Sequence, residues 1–343
     1  MKGVGRMNWS SKAAAMGGVR RAMAAGLALA AVLLVFAGAA GAAGAPAKIR
    51  IGVTQIVEHP ALDAARKGFV DGLAEAGYVE GKNVEFDFQN AQGDMSLAQT
   101  IARKFVTDRV DLILAIATPT AQAAAHATKD IPILVTAVTD PASAGLVKSN
   151  ANPGTNVTGT SDLNPVAEQL GLVRQIAPKA GRVGVVYNAG EQNSVFQVNI
   201  VKEAAKKLGL KVVEAPVAST TEILQATQAI ANKVDAIYVP TDNTVVSGLE
   251  SVIKVAEEAK LPVIGGEAGT VERGALITVG VSYYRLGQQT AKMAVQVLKG
   301  KKPATMAIQY QKELELVVNL KAAQAIGLKL PAKLVEKADR VIK

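Results

Sequence analysis

The chain has 343 residues, of which 49% are hydrophobic and only 4% are aromatic. This length is sufficient for two domains, whose cores must be built mainly from aliphatic side chains. The absence of cysteine excludes a disulfide framework, a thiolate nucleophile and a lipid-modified cysteine anchor. Two histidines without cysteine argue against a zinc site, and we expect neither a metal nor a cofactor.

Residues 1–45 have the pattern of a secretory signal peptide. They hold five basic residues and no acidic one. After Arg21, the last of the five, an uncharged run rich in alanine, leucine and valine continues to the end of the segment. A basic start, an apolar middle and a small-residue end are typical of secreted precursors. We expect cleavage near Ala42, because Pro46 disfavours a cut after Ala45. A retained membrane anchor is the alternative, which the glycine and alanine residues near the end disfavour.

Most of the positive charge belongs to this segment. Its removal lowers the formal net charge from +9 to +4, since five positive charges and no negative ones are lost. So small a positive charge gives no reason to expect a nucleic acid partner. Because residues 1–45 have the pattern of a secretory signal, the mature protein is expected in the periplasm.

The part after the signal peptide opens with alternating strands and helices. Residues 49–53 predict a strand, and an amphipathic helix over 61–76 ends at Gly77. NVEFDFQN alternates as a strand does, and Ser96 with Gln99 resembles the capping box of the next helix.

Residues 111–141, DLILAIATPTAQAAAHATKDIPILVTAVTDP, organise the first half of the chain. They predict a buried strand, a polar turn at 118–120, an alanine-rich helix, a second buried strand and a polar turn at 139–141. Strands that alternate with short helices indicate a parallel sheet covered on both faces. Ligands of such sheets bind beyond the carboxyl ends of the strands, so we expect a ligand at these two turns.

After residue 154 the same pattern begins again. RVGVVYNAGEQNS parallels RIGVTQIVEHPAL, DAIYVPTDNT parallels DLILAIATPT, and LPVIGGEAG parallels IPILVTAVTDP. The sequence therefore predicts two similar α/β units in tandem, with a cleft between them as the place for a small molecule. The tail from Ala275 adds a strand, a helix over 288–298 and the strand-like MAIQY, which suggests that the chain crosses between the units more than once.

Four segments carry a family resemblance: VTDPASAGLV, GTNVTGTSD, YNAGEQNS and VPTDNTVVSG. In this order they resemble the substrate-binding proteins of ABC transporters with the type I periplasmic fold, and more narrowly those of tryptophan and tyrosine uptake. The resemblance covers residues 49–330. It implies two Rossmann-like lobes, three hinge crossovers and closure on a ligand, as in a Venus flytrap. The expected lobes are 48–161 plus 281–302, and 162–280 plus 303–343.

The resemblance also implies a function. The expected ligand is an α-amino acid with an aromatic or branched apolar side chain, handed by a monomeric protein to a membrane ABC permease. The alternatives are a ligand-sensing protein for a chemoreceptor or regulator, and a different small polar ligand on the same fold. An enzyme is not expected, because the sequence contains no G-x-G-x-x-G after a strand, no P-loop and no nucleophile beside a base.

In the first half, the candidate ligand-binding residues follow the two buried strands. Thr118 and Thr120 offer hydroxyls and helix N–H groups to a carboxylate, or else they only cap the helix. By resemblance to branched-chain amino-acid binders, Thr139 is preferred to Asp140, whose alternative role is to cap the turn before Pro141.

In the second half, the candidates lie at equivalent positions. Asp242 is the expected partner of the ligand ammonium, with a surface turn as the alternative. The further candidates for the cleft are Asn188, Ser194, Thr241, Asn243, Glu58 and Glu267. Tyr283 and Tyr284 fall at a predicted crossover, where either could stack on an aromatic ligand or pack in the core. His59 is expected to be a hydrogen-bonded surface group.

Overall fold

The structure, a computed structural model, describes residues 48–343, and the predicted signal peptide lies outside these residues. The described residues form two sheets with helices between the strands, which confirms the predicted α/β fold. In chain order the strands are β1 (Ile49–Gln55), β2 (Val84–Asn90), β3 (Leu112–Ile116), β4 (Ile133–Val138), β5 (Val157–Ser161), β6 (Arg182–Asn188), β7 (Lys211–Val217), β8 (Ala236–Val239), β9 (Val263–Gly265), β10 (Ile277–Gly280), β11 (Gln309–Tyr310), β12 (Glu315–Asn319) and β13 (Arg340–Ile342).

The helices cover the faces of these sheets, and among residues 48–343 none has the length and apolar character needed to cross a membrane. They are α1 (Pro60–Glu75), α2 (Met95–Thr107), α3 (Thr118–Ala127), α4 (Val166–Ile176), α5 (Gln192–Lys207), α6 (Ile223–Ala231), α7 (Asn243–Ser247), α8 (Leu249–Glu258), α9 (Ala268–Glu272), α10 (Tyr283–Leu298), α11 (Leu320–Ala325) and α12 (Ala332–Glu336). Two short 3-10 turns lie at Thr220–Glu222 and Pro303–Thr305.

The first lobe is built on a six-stranded parallel sheet in the order β11-β5-β4-β3-β1-β2. Its central strands β3 and β4 are buried along their whole length. Their sequences, LILAI and ILVTAV, are almost entirely apolar, as is expected of strands with helices on both faces. One apolar core fills this lobe and includes residues from α1, α2, α3 and α10.

The second lobe is built on a seven-stranded sheet in the order β13-β12-β10-β9-β8-β6-β7. All neighbouring strands are parallel except β10 and β12. Two apolar clusters lie on its two faces, one around Tyr238 and the other around Val239. Because successive side chains of a strand point to opposite faces, β8 contributes to both clusters.

The chain crosses between the lobes three times, as predicted. It leaves the first lobe after β5, returns between Gly280 and Tyr283, and leaves again between Tyr310 and Glu315. Residues 303–310 correct the prediction, which assigns them to the second lobe. Met306 and Ile308 are buried in the core of the first lobe, and β11 adds an edge strand to its sheet, because MAIQY is apolar enough to be covered there.

Helices α1 and α10 pack so closely that two glycines are required at their contact. A Cβ atom on Gly68 would lie 2.0 Å from the carbonyl oxygen of Tyr284, and one on Gly287 would lie 2.0 Å from that of Ala65. Neither backbone oxygen can move aside without moving its helix. This contact fixes the first turn of α10, and with it Tyr283, against the middle of α1.

Several helices begin at positions that the sequence pattern did not indicate. Residues 118–120, predicted as a turn, form the first turn of α3, where proline is tolerated. Helix α2 is capped by Asp94, whose side chain accepts from the N–H groups of Ser96 and Leu97, so Ser96 is inside the helix.

Candidate functional site

An enclosed cavity, walled mostly by buried side chains, lies between the lobes. Both lobes and two of the chain crossings contribute to its wall. It is lined by His59, Ala61, Leu62, Ala137, Asp162, Asn193, Thr241, Asp242, Asn243, Val246, Glu267 and Tyr283. Because its wall is shared by the two lobes, a molecule held there would bridge them.

The first lobe presents the N-terminus of α1 to this cavity. Pro60 has no N–H group, and the N–H groups of Ala61 and Leu62 have no acceptor within the helix, because they belong to its first turn. His59 precedes the helix, is 7% exposed, and its Nδ1 atom has no hydrogen-bond partner. Burial, together with the charge of Arg273, lowers the pKa of His59 to about 3, so the imidazole is neutral at physiological pH. This end of the cavity therefore offers hydrogen-bond donors without a full positive charge.

Three acceptor oxygens on the cavity wall have no hydrogen-bond partner. They are Oδ1 of Asp162, Oδ1 of Asn193 and Oε1 of Glu267. All three residues are buried, and each is 3% exposed. A buried polar atom without a partner is costly, so these three oxygens are available to accept hydrogen bonds from a ligand in the cavity.

The other polar atom of each of these side chains is held in place. Tyr283 donates its hydroxyl to Asp162 Oδ2 at 2.5 Å, and the backbone N–H of Gly269 donates to Glu267 Oε2 at 2.5 Å. The Asn193 amide donates to the carbonyl of Thr241 at 3.2 Å. Each side chain is thus anchored through one atom and keeps a second atom free for a ligand.

Burial changes the protonation of the two acids. It raises the pKa of Asp162, an effect that the hydroxyls of Tyr283 and Thr139 oppose. It raises the pKa of Glu267 to about 7, against the backbone N–H groups of Gly269 and Thr270. The negative charge of these carboxylates is therefore poorly compensated within the protein, and a cation in the cavity would stabilise it.

Asp242 lines the cavity, but both of its carboxylate oxygens are already bonded within the second lobe. Oδ1 accepts from the N–H of Val245 at 2.7 Å, which caps α7, and Oδ2 accepts from the N–H of Asn188 at 2.5 Å. Burial and the nearby Glu191 carboxylate raise the pKa of Asp242 to about 7. These bonds give Asp242 a structural role, and the acceptors left for a ligand belong to other residues.

Glu191 is the centre of a second buried network. Its carboxylate accepts from Thr244 Oγ1 at 2.8 Å, from the N–H of Thr244 at 3.0 Å and from Asn243 at 2.5 Å. Asn243 lines both the cavity and an outer groove, so this network forms part of the wall between them.

The outer groove, which is larger and open, runs between the lobes on the other side of Asn243. Its lining is almost uncharged, and among the described residues that line it Glu191 is the one ionisable residue. Ile56, Met95 and Pro119 contribute from the first lobe, and Asn188 and Gln192 from the second. Asn188 is thus a groove residue, with its amide donating to Thr244 Oγ1 at 2.8 Å.

The remaining candidates from the sequence are outside the cavity wall. Thr118 is buried with an unpartnered hydroxyl, and Thr120 donates to the Ile116 carbonyl at 2.7 Å. Asp140 caps its own turn by accepting from the N–H of Ser143 at 2.6 Å. Ser194 is fully buried beside Asn193, whose amide donates to its hydroxyl.

Two corrections concern the loop after β1. Glu58, expected in the cleft, is exposed, whereas His59, expected on the surface, turns inward and lines the cavity. The reason is that His59 is the N-cap residue of α1, whose first turn also lines the cavity, whereas Glu58 lies one residue further from the helix. The two tyrosines have different surroundings. Tyr283 is buried at the cavity, whereas Tyr284 donates its hydroxyl to Asp71 of α1.

The apolar part of the cavity wall comes from Leu62, Val246 and the ring of Tyr283. Among residues 48–343, no three histidine, cysteine, aspartate or glutamate side chains are placed to hold a metal ion. The cavity wall thus combines acidic groups, neutral donors and an apolar surface.

The comparison with known proteins decides the family. Residues 50–342 match the family model described as ABC transporter substrate binding protein. The chain belongs to the ABC transporter substrate-binding protein family. Members of this family bind a solute and work with a membrane permease, and the two-lobed fold expected from the four sequence segments is confirmed.

Among the relatives, the tyrosine-binding protein of Clostridioides difficile is 48% identical over 278 residues, which are 81% of each chain. A Streptococcus pneumonia ABC domain solved in complex with L-Trp is 42% identical, with a TM-score of 0.83 over 86% of this chain and 100% of that one. The ligand-free, open structure of a substrate-binding protein with adhesive properties from Clostridium difficile is 48% identical, but its TM-score is 0.67 over 86% of this chain and 99% of that one.

A TM-score compares the overall shape of two chains, which in a two-lobed protein includes the arrangement of the lobes. The open structure shares more sequence with this chain than the L-Trp complex does, yet it resembles it less in shape. Sequence divergence cannot explain that order, so the lobes of this family member are arranged more as in the L-Trp complex. The enclosed cavity agrees with this arrangement.

Proposed function

We propose that this protein binds an α-amino acid with an aromatic side chain in the enclosed cavity and delivers it to a membrane ABC permease. One observation carries the proposal: three unpartnered acceptor oxygens, from Asp162, Asn193 and Glu267, line one closed cavity. A primary ammonium has three N–H donors, one for each of these oxygens. Charge-assisted bonds of this kind are strong and directional.

The rest of the ligand is matched to the other parts of the wall. The N–H groups of Ala61 and Leu62 and the neutral imidazole of His59 are donors suited to the α-carboxylate. Leu62, Val246 and the Tyr283 ring offer an apolar surface to the side chain. The ligands of two relatives, tyrosine in one and L-Trp in the other, support an aromatic side chain.

Ligand binding and lobe closure are one process in this proposal. The carboxylate partners belong to the first lobe, whereas Asn193 and Glu267 belong to the second. A ligand that bonds to both binds the closed arrangement better than the open one and shifts the equilibrium towards it. No covalent step is required, and the protein acts as a monomer without nucleic acid.

We further propose that the protein is exported and processed near Ala42 to act in the periplasm. The basic, then apolar, then small-residue order of residues 1–45 supports this. Mass spectrometry of the exported protein should give an N-terminus between Gly41 and Lys48. An intact N-terminus at Met1 would contradict processing.

Isothermal titration calorimetry and thermal-shift assays of the purified residues 48–343 test the ligand class. L-tyrosine, L-tryptophan and L-phenylalanine should bind, and a hundredfold excess over Kd should stabilise the protein by about 2.7 kcal/mol. L-leucine is the test of a branched apolar side chain, and glucose and inositol are the controls. Stabilisation by a sugar or polyol and by no amino acid would contradict the proposed function.

A further inference from the structure

The polar groups of the enclosed cavity are divided unequally between the two charged ends of an amino acid. Towards the ammonium, the wall supplies two carboxyl groups, Asp162 and Glu267, and the amide oxygen of Asn193. Each of these oxygens has no partner within the protein. The other polar atom of each side chain is bonded and holds the side chain in place. The site for a cation is therefore complete within the protein.

Towards the carboxylate, the wall supplies no positive charge. Among residues 48–343, the cavity lining contains no lysine or arginine, and His59 is neutral at physiological pH. The charge of Arg273 acts on both His59 and Glu267. However, the guanidinium of Arg273 is bonded to Glu250 at 2.9 Å and to the Val246 carbonyl at 2.6 Å, so it is not available to a ligand.

Charge balance then favours a ligand that carries the ammonium alone. An amino acid brings one positive and one negative charge into a cavity that already contains three acids without a cationic partner, Asp162, Asp242 and Glu267. Its carboxylate interacts with backbone N–H groups and a neutral imidazole, and it is repelled by the acids. An amine of the same shape keeps every bond to Asp162, Asn193 and Glu267 and removes one negative charge.

We propose that the cavity also binds aromatic primary amines that lack the α-carboxylate, such as the decarboxylated forms of tyrosine and tryptophan. This ligand class rests on the proposed amino-acid site, because it uses the same ammonium partners and the same apolar surface. The protein selects for the ammonium group and tolerates loss of the carboxylate.

Competition and direct titration with three matched probes test this inference. The probes are L-tyrosine, tyramine, which lacks only the carboxylate, and 3-(4-hydroxyphenyl)propionate, which lacks only the ammonium. A contact with a helix N-terminus contributes at most about thirtyfold in affinity, so tyramine should bind within about thirtyfold of tyrosine. The deaminated acid should bind at least about a hundredfold more weakly than tyrosine, because it leaves the buried acids unpaired.

The outcomes separate the two proposals. If none of the aromatic amino acids binds, the proposed function fails. If L-tyrosine or L-tryptophan binds and the deaminated acid binds as well as or better than the amine, the function stands and this inference is overturned. The same ranking should hold for tryptamine and 3-indolepropionate.

The variant Glu267→Gln provides an independent readout. The amide can still accept from the N–H of Gly269, so the cap of α9 is kept while the free acceptor becomes a donor. Tyramine affinity should fall at least about tenfold. An unchanged tyramine affinity, with the variant folded as judged by its melting temperature, would overturn the assignment of Glu267 to the ammonium.

Discussion

Gln197 donates a hydrogen bond from Nε2 to Thr139 Oγ1 at 3.2 Å, and this bond joins the second lobe to the first. Gln197 is fully buried and also bonds to Thr241, which lines the enclosed cavity. The contact between the lobes is thus one side chain away from the ligand site. Closure of the lobes and the position of the cavity wall are coupled through Gln197.

The first prediction concerns this contact. Gln197→Leu keeps the approximate volume but removes this buried bond between the lobes, so the closed arrangement loses part of its advantage over the open one. Ligand affinity, measured by calorimetry, should fall by about five- to thirtyfold, which corresponds to about 1–2 kcal/mol for a buried hydrogen bond. Gln192→Ala is the control, since the bond of Gln192 to Ser143 is exposed; its affinity should change by about twofold or less. A parent-like affinity of Gln197→Leu would contradict the coupling.

The second prediction separates Asp242 from Glu267. Asp242→Asn places a donor opposite the N–H of Asn188 and should destabilise the protein by about 1–3 kcal/mol, because a buried donor loses its acceptor. Its affinity for the aromatic amino acid should change little once the protein is folded. Glu267→Gln should show the opposite pattern, with a similar melting temperature and weaker binding. If Asp242→Asn abolishes binding without loss of stability, Asp242 is the ammonium partner after all.

The third prediction is a pH dependence of binding. Without ligand, burial raises the pKa of Glu267 to about 7 and raises that of Asp162. An ammonium favours the ionised carboxylates, so binding should release protons and the affinity should fall as the pH decreases below about 7, by up to about tenfold per pH unit for each proton released. Above that pH the affinity should level off. Calorimetry in buffers of different ionisation enthalpy measures the proton release, and Glu267→Gln should flatten the pH profile.

The same carboxyl groups have the opposite effect on the unliganded protein. A carboxyl whose folded pKa is raised favours the folded state at low pH, and this contribution is lost as the pH rises from the ordinary value of 4.5 to about 7.

The third prediction has a clear contrary outcome. If the affinity for the aromatic amino acid rises as the pH falls, ionised carboxylates are not the partners of the ligand.

The fourth prediction concerns the contact between α1 and α10. Gly287→Ala would place a methyl group 2.0 Å from the Ala65 carbonyl oxygen, so the helices must separate. We expect a loss of about 1–3 kcal/mol or more in the free energy of unfolding, measured by urea denaturation. Gly171→Ala is the matched control, because Gly171 is in α4 with open space around its Cβ position; it should stabilise by about 0.5–1 kcal/mol. Equal effects of the two substitutions would contradict the close packing.

The sequence predicted the fold well because local patterns determine it. The apolar runs LILAI and ILVTAV correspond to β3 and β4, and the repeated strand ends revealed two lobes. The last crossing was misplaced because β11 is only two residues long and its membership of a sheet depends on pairing with β5, far away in the chain.

The candidate site was predicted less completely, because it depends on contacts between distant residues. Thr241, Asn243 and Glu267 follow strands of the repeated pattern, and they do line the cavity. Asp162 was missed, although it is the last residue of the quoted segment GTNVTGTSD, because its partner Tyr283 is 121 residues away. That Asp242 caps α7 while also accepting from Asn188 could not be seen from the residue type, since both a cap and a ligand contact favour aspartate.

The most direct measurement is a crystal structure of residues 48–343 with bound L-tyrosine or L-tryptophan. The ammonium nitrogen should lie about 3 Å from Asp162 Oδ1, Asn193 Oδ1 and Glu267 Oε1, with the carboxylate at the N–H groups of Ala61 and Leu62. An amino acid bound in the outer groove, or in the cavity with its ammonium away from these three oxygens, would contradict the proposed site.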